Sequence, residues 1–255
     1  MNRNRIPLLL LLSAAVLLIL EIVRPAYTSD PLRNELISTI LTRTVGGTLF
    51  LLLISGNSGS FTGLPEKRRA CFCLLPASAA AINNFPILGL LTGAVQLHAS
   101  AADLLLLAAQ SLAVGFFEET TFRGFLFPIV LRKFRGRNIF LPTILASAVF
   151  AAVHLVNLFD GMSPAAVLLQ IGYSFLIGGM CAVVLLKTRC LPFCVLLHAV
   201  YNFGGTLVPT FGSGTVWDPV TVTVTAVLGV IVLLYFLRLL SRITDDEISA
   251  LLSKT

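Results

Sequence analysis

The stretch that decides the fold is residues 104–124, which read LLLLAAQSLAVGFFEETTFRG. It is long and apolar enough to cross a bilayer as a helix, because a hydrocarbon core of about 30 Å needs roughly 20 helical residues. Two carboxylates and a guanidinium nevertheless interrupt it, at Glu118, Glu119 and Arg123. Ionisable groups inside a membrane span are costly and by default mark a functional site. The stretch therefore predicts a membrane helix that carries chemistry.

The composition of the whole chain extends this prediction. The 255 residues are 56% hydrophobic and 12% charged, with a mean hydropathy of +0.93. Soluble domains carry about 25% charged residues, and a single core of this size would leave a large apolar area facing water. We therefore expect an all-α, polytopic membrane protein. A disordered chain, a disulfide scaffold and a nucleic-acid-binding domain are excluded.

Apolar runs of spanning length predict about eight transmembrane helices in a single transmembrane domain, residues 1–255. We expect both termini in the cytoplasm, because only Arg24 and Arg33 of the 18 Lys and Arg residues then fall in outside segments. The first run has the basic and apolar regions of a signal peptide but no clear cleavage site, so we expect it to remain uncleaved. The predicted spans are Ile6–Val23, Glu35–Ile54, Ala70–Leu91, Ala101–Phe127, Pro142–Asn157, Pro164–Leu186, Leu191–Val208 and Pro219–Leu240.

The polar groups of the fourth span have a defined relation to one another. Glu119 and Arg123 are four residues apart, so they share a helix face and can pair. Glu118 points about 100° away from Glu119, as follows from 3.6 residues per turn. One carboxylate can therefore be held by the arginine while the other faces a cavity, where it is a candidate general base.

Later spans carry further polar groups at a similar depth. His154 lies in the fifth span, and His198 and Asn202 lie four apart on the seventh. At a rise of about 1.5 Å per residue, these groups and Glu118 fall within roughly two helical turns of one another in depth. We therefore expect them to converge on one site.

Three segments resemble the motifs of the CPBP family, also called the Abi or CAAX-protease-like family of intramembrane proteases, which includes the type II CAAX prenyl endopeptidases. The EExxxR motif resembles Glu118 through Arg123, FxxxH resembles Phe150 through His154, and HxxxN or HxxxD resembles His198 through Asn202. The resemblance covers about residues 101–208, a predicted catalytic core made of spans four to seven.

The resemblance implies an intramembrane endopeptidase that hydrolyses a peptide bond in a membrane-associated peptide or protein. It implies that Glu118 activates the attacking water and that His154 helps to position or deprotonate this water. Glu119 paired with Arg123 would hold the geometry of the site, or Arg123 would contact the substrate. His198 and Asn202 would donate hydrogen bonds to the developing oxyanion.

The resemblance leaves the metal question open, because family members have been regarded both as metalloproteases and as glutamic endopeptidases. Glu118, His154 and His198 form a possible zinc set of two histidines and one carboxylate. No HExxH motif is present, however, and the three residues come from separate helices. We therefore favour catalysis without a cofactor and keep zinc as the alternative.

Two other functions stay open at this stage. Intramembrane carboxylates and imidazoles also build proton relays, so the chain is alternatively a proton-coupled transporter, although we see no inverted repeats. Polar groups also join membrane helices, so it is alternatively a non-catalytic membrane scaffold. The expected partners are a membrane-associated substrate and the lipid bilayer.

Overall fold

The computed structural model describes residues 26–55, 72–134, 136 and 138–253, together with residues 15, 19 and 23. The first predicted span, Ile6–Val23, therefore lies outside the described residues except at three positions. The basic clusters at residues 3–5 and 67–69 also lie outside them.

Helices make up most of the described chain. We number the α-helices and strands in chain order, and name the π-helical turn and the 3₁₀ segment separately. Their bounds are α1 Pro31–Ser55, α2 Leu74–Asn83, α3 Ile87–Thr92, β1 Val95–Leu97, α4 Ala101–Glu119, the π-helical turn Thr120–Leu126, α5 Phe127–Lys133, α6 Phe140–Ala152, the 3₁₀ segment Val153–Leu158, α7 Pro164–Thr188, α8 Leu191–Phe211, β2 Gly212–Gly214, α9 Pro219–Leu240 and α10 Asp245–Leu252.

Within the described residues, six helices are long and apolar enough to cross a membrane. Their lengths run from 19 to 33 residues, which matches or exceeds the roughly 20 residues that a bilayer core requires. The protein is an integral, multi-pass membrane protein. The six are Pro31–Ile54, Ala101–Lys133, Phe140–Leu158, Pro164–Thr188, Leu191–Phe211 and Pro219–Leu240.

The third predicted span, Ala70–Leu91, is not one continuous helix where the structure describes it. Helix α2 ends at Asn83, and α3 begins only at Ile87. Pro86 causes the break, because proline lacks an N–H and pushes the residue before it out of the helical region. The side-chain amide of Asn84 donates to the carbonyl of Tyr201 over 2.8 Å. The broken end of α2 is thus held against α8.

The structure contains a short two-stranded β-ribbon that the all-α prediction does not include. Strand β1 pairs antiparallel with β2, with Val95 opposite Gly214. Three-residue strands are too short to give a period of two in the sequence, which is why the hydrophobic pattern does not reveal them. Gly214 has a φ of +107°, and a Cβ there would collide with the carbonyl oxygen of Ala94. The ribbon ties the chain before α4 to the end of α8.

The helix bundle has two chemically different ends. At the end that holds the ribbon, Arg33 near the start of α1 donates to Asp103 near the start of α4 over 2.9 Å. At the opposite end, Lys187 near the end of α7 contacts Glu247 of α10 over 2.9 Å. We call these the ribbon end and the basic end. The basic end also carries Arg132, Lys133, Arg189, Arg238 and Arg242.

Candidate active site

The helix that carries the two glutamates changes its winding directly after them. Helix α4 ends at Glu119 and continues as the π-helical turn. The hydroxyl of Thr120 donates to the carbonyl of Phe116 over 2.7 Å, and that of Thr121 donates to the carbonyl of Phe117 over 2.7 Å. Threonine hydroxyls that bond back in this way bend helices, and π-turns concentrate at functional sites. The fourth predicted span is therefore not uniformly α-helical.

Glu119 and Arg123 form the buried part of the site. Their side chains are 0% and 3% exposed, and Arg123 Nη1 lies 3.1 Å from Glu119 Oε1. Neither terminal nitrogen of Arg123 makes an aligned hydrogen bond with any residue that the structure describes, so the contact is a charge pair. The guanidinium carbon of Arg123 also lies 4.2 Å from the ring centre of Phe150, an attractive cation–π geometry.

Glu119 also fixes the ring of His198. The Nδ1 atom of His198 donates to Glu119 Oε1 over 2.7 Å. The proton is assigned to Nδ1 because a carboxylate can only accept. One buried carboxylate oxygen therefore lies between the imidazole and the guanidinium.

A cavity of about 650 Å³ forms the open part of the site. Glu118, His154, His198 and Asn202 all line it. Glu118 is 20% exposed, and its Oε2 lies 3.5 Å from His198 Nε2. The two adjacent glutamates therefore contact opposite nitrogens of the same imidazole, Glu119 from the protein interior and Glu118 from the cavity.

His154 is oriented by its own backbone and by α7. It lies in the 3₁₀ segment. The sequence predicts a continuous helical span, Pro142–Asn157, at this position. Its Nδ1 lies 3.2 Å from the carbonyl oxygen of Phe150, and its Nε2 lies 3.5 Å from Ser174 Oγ. Since a carbonyl only accepts, the proton is assigned to Nδ1, which leaves Nε2 as the acceptor in the neutral ring.

Residues 100–204 match the family model described as type II CAAX prenyl endopeptidase Rce1-like. The match contains all three motif segments. The chain carries an Rce1-like domain. This finding confirms the family that the motifs predict and indicates a protease, and hence a hydrolase, set in a membrane. No curated protein and no solved structure matches the chain.

The six predicted site residues of the Rce1-like domain fall into two groups according to whether they line the cavity. Four of them line the cavity, whereas Glu119 and Arg123 lie behind it. The burial of Arg123 disfavours the expectation that it contacts substrate. The structure thus brings all six residues to one place, with four of them accessible to a ligand.

Sequence reasoning assigned no role to two residues at the centre of the Rce1-like site. Phe150 is 2% exposed, and its ring contacts His154 and His198 at centroid distances of 5.4 and 5.9 Å. Ser174 on α7 contacts the His154 ring. The sequence does indicate that α7 faces the site, because Gln170 and Ser174 are polar residues four apart within an apolar span.

The proposed zinc ligands of the Rce1-like domain do not form a compact set. Among the described residues, the group whose ligand atoms lie within 4.8 Å of one another is Glu119, Cys181 and Cys194. That group does not suit a cation either, because Arg123 already neutralises Glu119. The thiol of Cys194 also donates to the carbonyl of Cys181 over 3.3 Å, so it is protonated in this arrangement.

Proposed function

We propose that the protein is an intramembrane endopeptidase that hydrolyses a peptide bond in a membrane-associated peptide or protein, with water activated by Glu118. One observation carries the proposal, which is that Glu118, His154, His198 and Asn202 line a single cavity although they come from three separate parts of the bundle. A cavity with few, convergent polar groups is the usual form of a small catalytic site.

Glu118 is the proposed general base. It is the carboxylate that lines the cavity, so it can reach a water molecule that Glu119 cannot. Glu118 takes one proton from the water while the water oxygen attacks the carbonyl carbon of the scissile bond. It then returns this proton to the leaving nitrogen as the carbon–nitrogen bond breaks.

His198 and Asn202 are the proposed donors to the oxyanion. The side-chain amide of Asn202 is a donor in its ordinary state. His198 donates from Nε2 when the ring is an imidazolium, because its Nδ1 proton is already bonded to Glu119. Preorganised donors of this kind are typically worth about 3–4 kcal/mol each in a dry site.

The charges of the site balance during the reaction. Glu118 and Glu119 supply two negative charges, and Arg123 and the His198 imidazolium supply two positive charges. This balance matters because an uncompensated charge in a low-dielectric interior is strongly destabilising. His154 lines the same cavity as Glu118 and is the group proposed to orient the attacking water.

The proposed mechanism needs no metal ion. A metal-free preparation should retain full activity after chelation, with elemental analysis of the same sample for zinc. Activity that disappears with the metal and returns when zinc is added would overturn this part of the proposal.

The function itself is tested with purified protein and a library of membrane-peptide substrates. We expect new peptide termini with the wild-type protein and a large loss with Glu118→Gln, His154→Ala and His198→Ala. If all three variants cleave as well as the wild type, the proposed site is wrong. In a separate experiment, comparing the membrane-tethered peptides of a knockout strain with those of its parent would identify the substrate.

A further inference from the structure

The helix that carries His198 and Asn202 is weakened directly beyond these two residues. Gly204 and Gly205 follow within one turn, and Pro209 lies inside the same helix, α8. Glycine lowers helix propensity, and proline removes a backbone N–H and crowds the carbonyl four residues before it. Helices bend most readily at such residues. The part of α8 beyond Asn202 therefore needs support from outside the helix.

The chain between α2 and α3 packs against α8 at this weak point. A Cβ added at Gly204 would lie 2.5 Å from Cδ2 of the Phe85 ring. A Cβ added at Gly205 would collide with the side-chain amide of Asn84. The two glycines therefore weaken the helix and at the same time admit the chain that supports it.

The hydrogen bond from Asn84 acts on a peptide group of Asn202. Its acceptor is the carbonyl of Tyr201 at 2.8 Å, and this carbonyl belongs to the planar unit whose nitrogen is the amide nitrogen of Asn202. On the other side of Asn202, the hydroxyl of Thr206 donates to the carbonyl of Asn202 over 2.7 Å. Both peptide groups that flank the Cα of Asn202 are thus held by side chains.

We propose that Asn84 is a positioning residue, which holds the part of α8 that carries Asn202 and so keeps the side-chain amide of Asn202 in place in the cavity. The role of Asn202 as a donor to the oxyanion belongs to the proposed function, and this inference rests on it. A donor stabilises the transition state best when it is fixed before the reaction begins. Among the described residues, those that line the cavity do not include Asn84, so its effect on the reaction passes through α8.

The neighbouring residue Asn83 offers a matched control. Its side-chain amide donates to the hydroxyl of Thr225 on α9 over 2.9 Å. The residue type and the kind of bond are the same, but α9 carries none of the six predicted site residues. Leucine has nearly the shape of asparagine and cannot donate. Asn84→Leu and Asn83→Leu therefore each remove one such bond, the first to α8 and the second to α9.

Amide hydrogen exchange tests the support of α8 without any assay of activity. It is measured by mass spectrometry on the full chain in detergent micelles, in peptides that cover residues 200–210. We expect Asn84→Leu to speed exchange there about two- to tenfold, as the loss of one hydrogen bond implies, and Asn83→Leu to leave it unchanged. Asn84→Ala, which removes the same bond with a smaller side chain, is the second variant. Unchanged exchange in both Asn84 variants, or an equal rise in Asn83→Leu, overturns the proposal.

The effect on the reaction is measured with a double-mutant cycle. We expect Asn84→Leu to lower kcat several-fold with an unchanged KM, because an oxyanion donor acts in the transition state. Added to Asn202→Ala, it should lower kcat no further than Asn202→Ala alone. Additive losses, or a change in KM alone, overturn the positioning role. A wild-type protein that cleaves no peptide would instead overturn the proposed function, and the exchange measurement then decides by itself whether Asn84 supports α8.

Discussion

Two neighbouring glutamates on one helix occupy opposite environments. Glu119 is fully buried, whereas Glu118 is 20% exposed and lines the cavity. The difference follows from the helix itself, because successive side chains point about 100° apart. One carboxylate can therefore stabilise the site from within while the next one meets the substrate.

Their partners differ in the same way. Glu119 contacts an arginine at 3.1 Å and a histidine at 2.7 Å, so its position is fixed. Glu118 has the looser contact of 3.5 Å to the other nitrogen of that histidine. Burial and partners thus distinguish two identical neighbouring residues, which is why we propose Glu119 as the positioning group and Glu118 as the reacting group.

Removing the partner of the buried glutamate should have the largest effect on stability. Arg123→Ala removes one of the two partners of Glu119 and leaves only the hydrogen bond from His198. Breaking a buried charge pair in this way typically costs about 3–5 kcal/mol. We expect a large drop in the free energy of unfolding, measured by denaturant titration in detergent micelles.

Arg33→Ala is the control for that prediction. Arg33 also pairs with an aspartate across two helices, but its side chain is 43% exposed, and exposed pairs contribute little. If Arg123→Ala unfolds no more easily than Arg33→Ala, then Glu119 does not depend on a buried charge pair.

The second-largest effect is expected from a change in the spacing between helices α4 and α8. A Cβ added at Gly115 would lie 2.9 Å from the carbonyl oxygen of Val195 and 3.2 Å from the amide nitrogen of Ala199. Gly115→Ala therefore pushes α8, and His198 with it, away from Glu119. Overpacking of this kind costs about 1–3 kcal/mol.

The expected activity loss for Gly115→Ala is about 100-fold, since a shift of about 1 Å at a site can cost that much. It is measured as kcat/KM beside Gly229→Ala, where an added Cβ meets no atom of the described residues within 4 Å. Equal activity in these two variants would show that the spacing of α4 and α8 does not position His198.

Ser174→Ala should have the smallest effect. Ser174 lines the cavity and contacts the ring of His154. A single neutral hydrogen bond is worth about 0.5–1.5 kcal/mol. We expect a several-fold lower kcat with an unchanged KM, and recovery in Ser174→Thr, which keeps the hydroxyl. A change in KM alone would instead mean that Ser174 contacts the substrate.

Much of the membrane architecture could be predicted from the sequence because apolar length and charge placement are properties of single segments. The six described spans arise in this way. The convergence of Glu118, His154, His198 and Asn202 could be anticipated from depth, since a helix rises by a fixed distance per residue. Ion-pair formation between Glu119 and Arg123 follows from the same regularity.

What the sequence did not reveal depends on contacts between segments or on local winding. At the start of the π-helical turn the hydroxyls of Thr120 and Thr121 donate to carbonyls of the preceding turn. Two adjacent threonines do not by themselves predict this winding from the sequence. The hydrogen bond from His198 to Glu119 joins residues 79 apart, and helix packing alone decides it. Pro86 indicates a break in the helix from the sequence alone, but the hydrogen bond from Asn84 to the carbonyl of Tyr201 could not be predicted from it.

The most direct test of the division between the two glutamates is a matched pair of nearly isosteric changes, Glu118→Gln and Glu119→Gln, each measured for peptide cleavage and for thermal unfolding. We predict that Glu118→Gln loses about 10²–10⁴-fold in kcat, the usual contribution of a general base, with an unchanged melting temperature. Glu119→Gln should lower the melting temperature, because Arg123 then lacks its buried counter-charge. Cleavage at the wild-type rate by Glu118→Gln, or the same fall in melting temperature for both variants, would contradict the account.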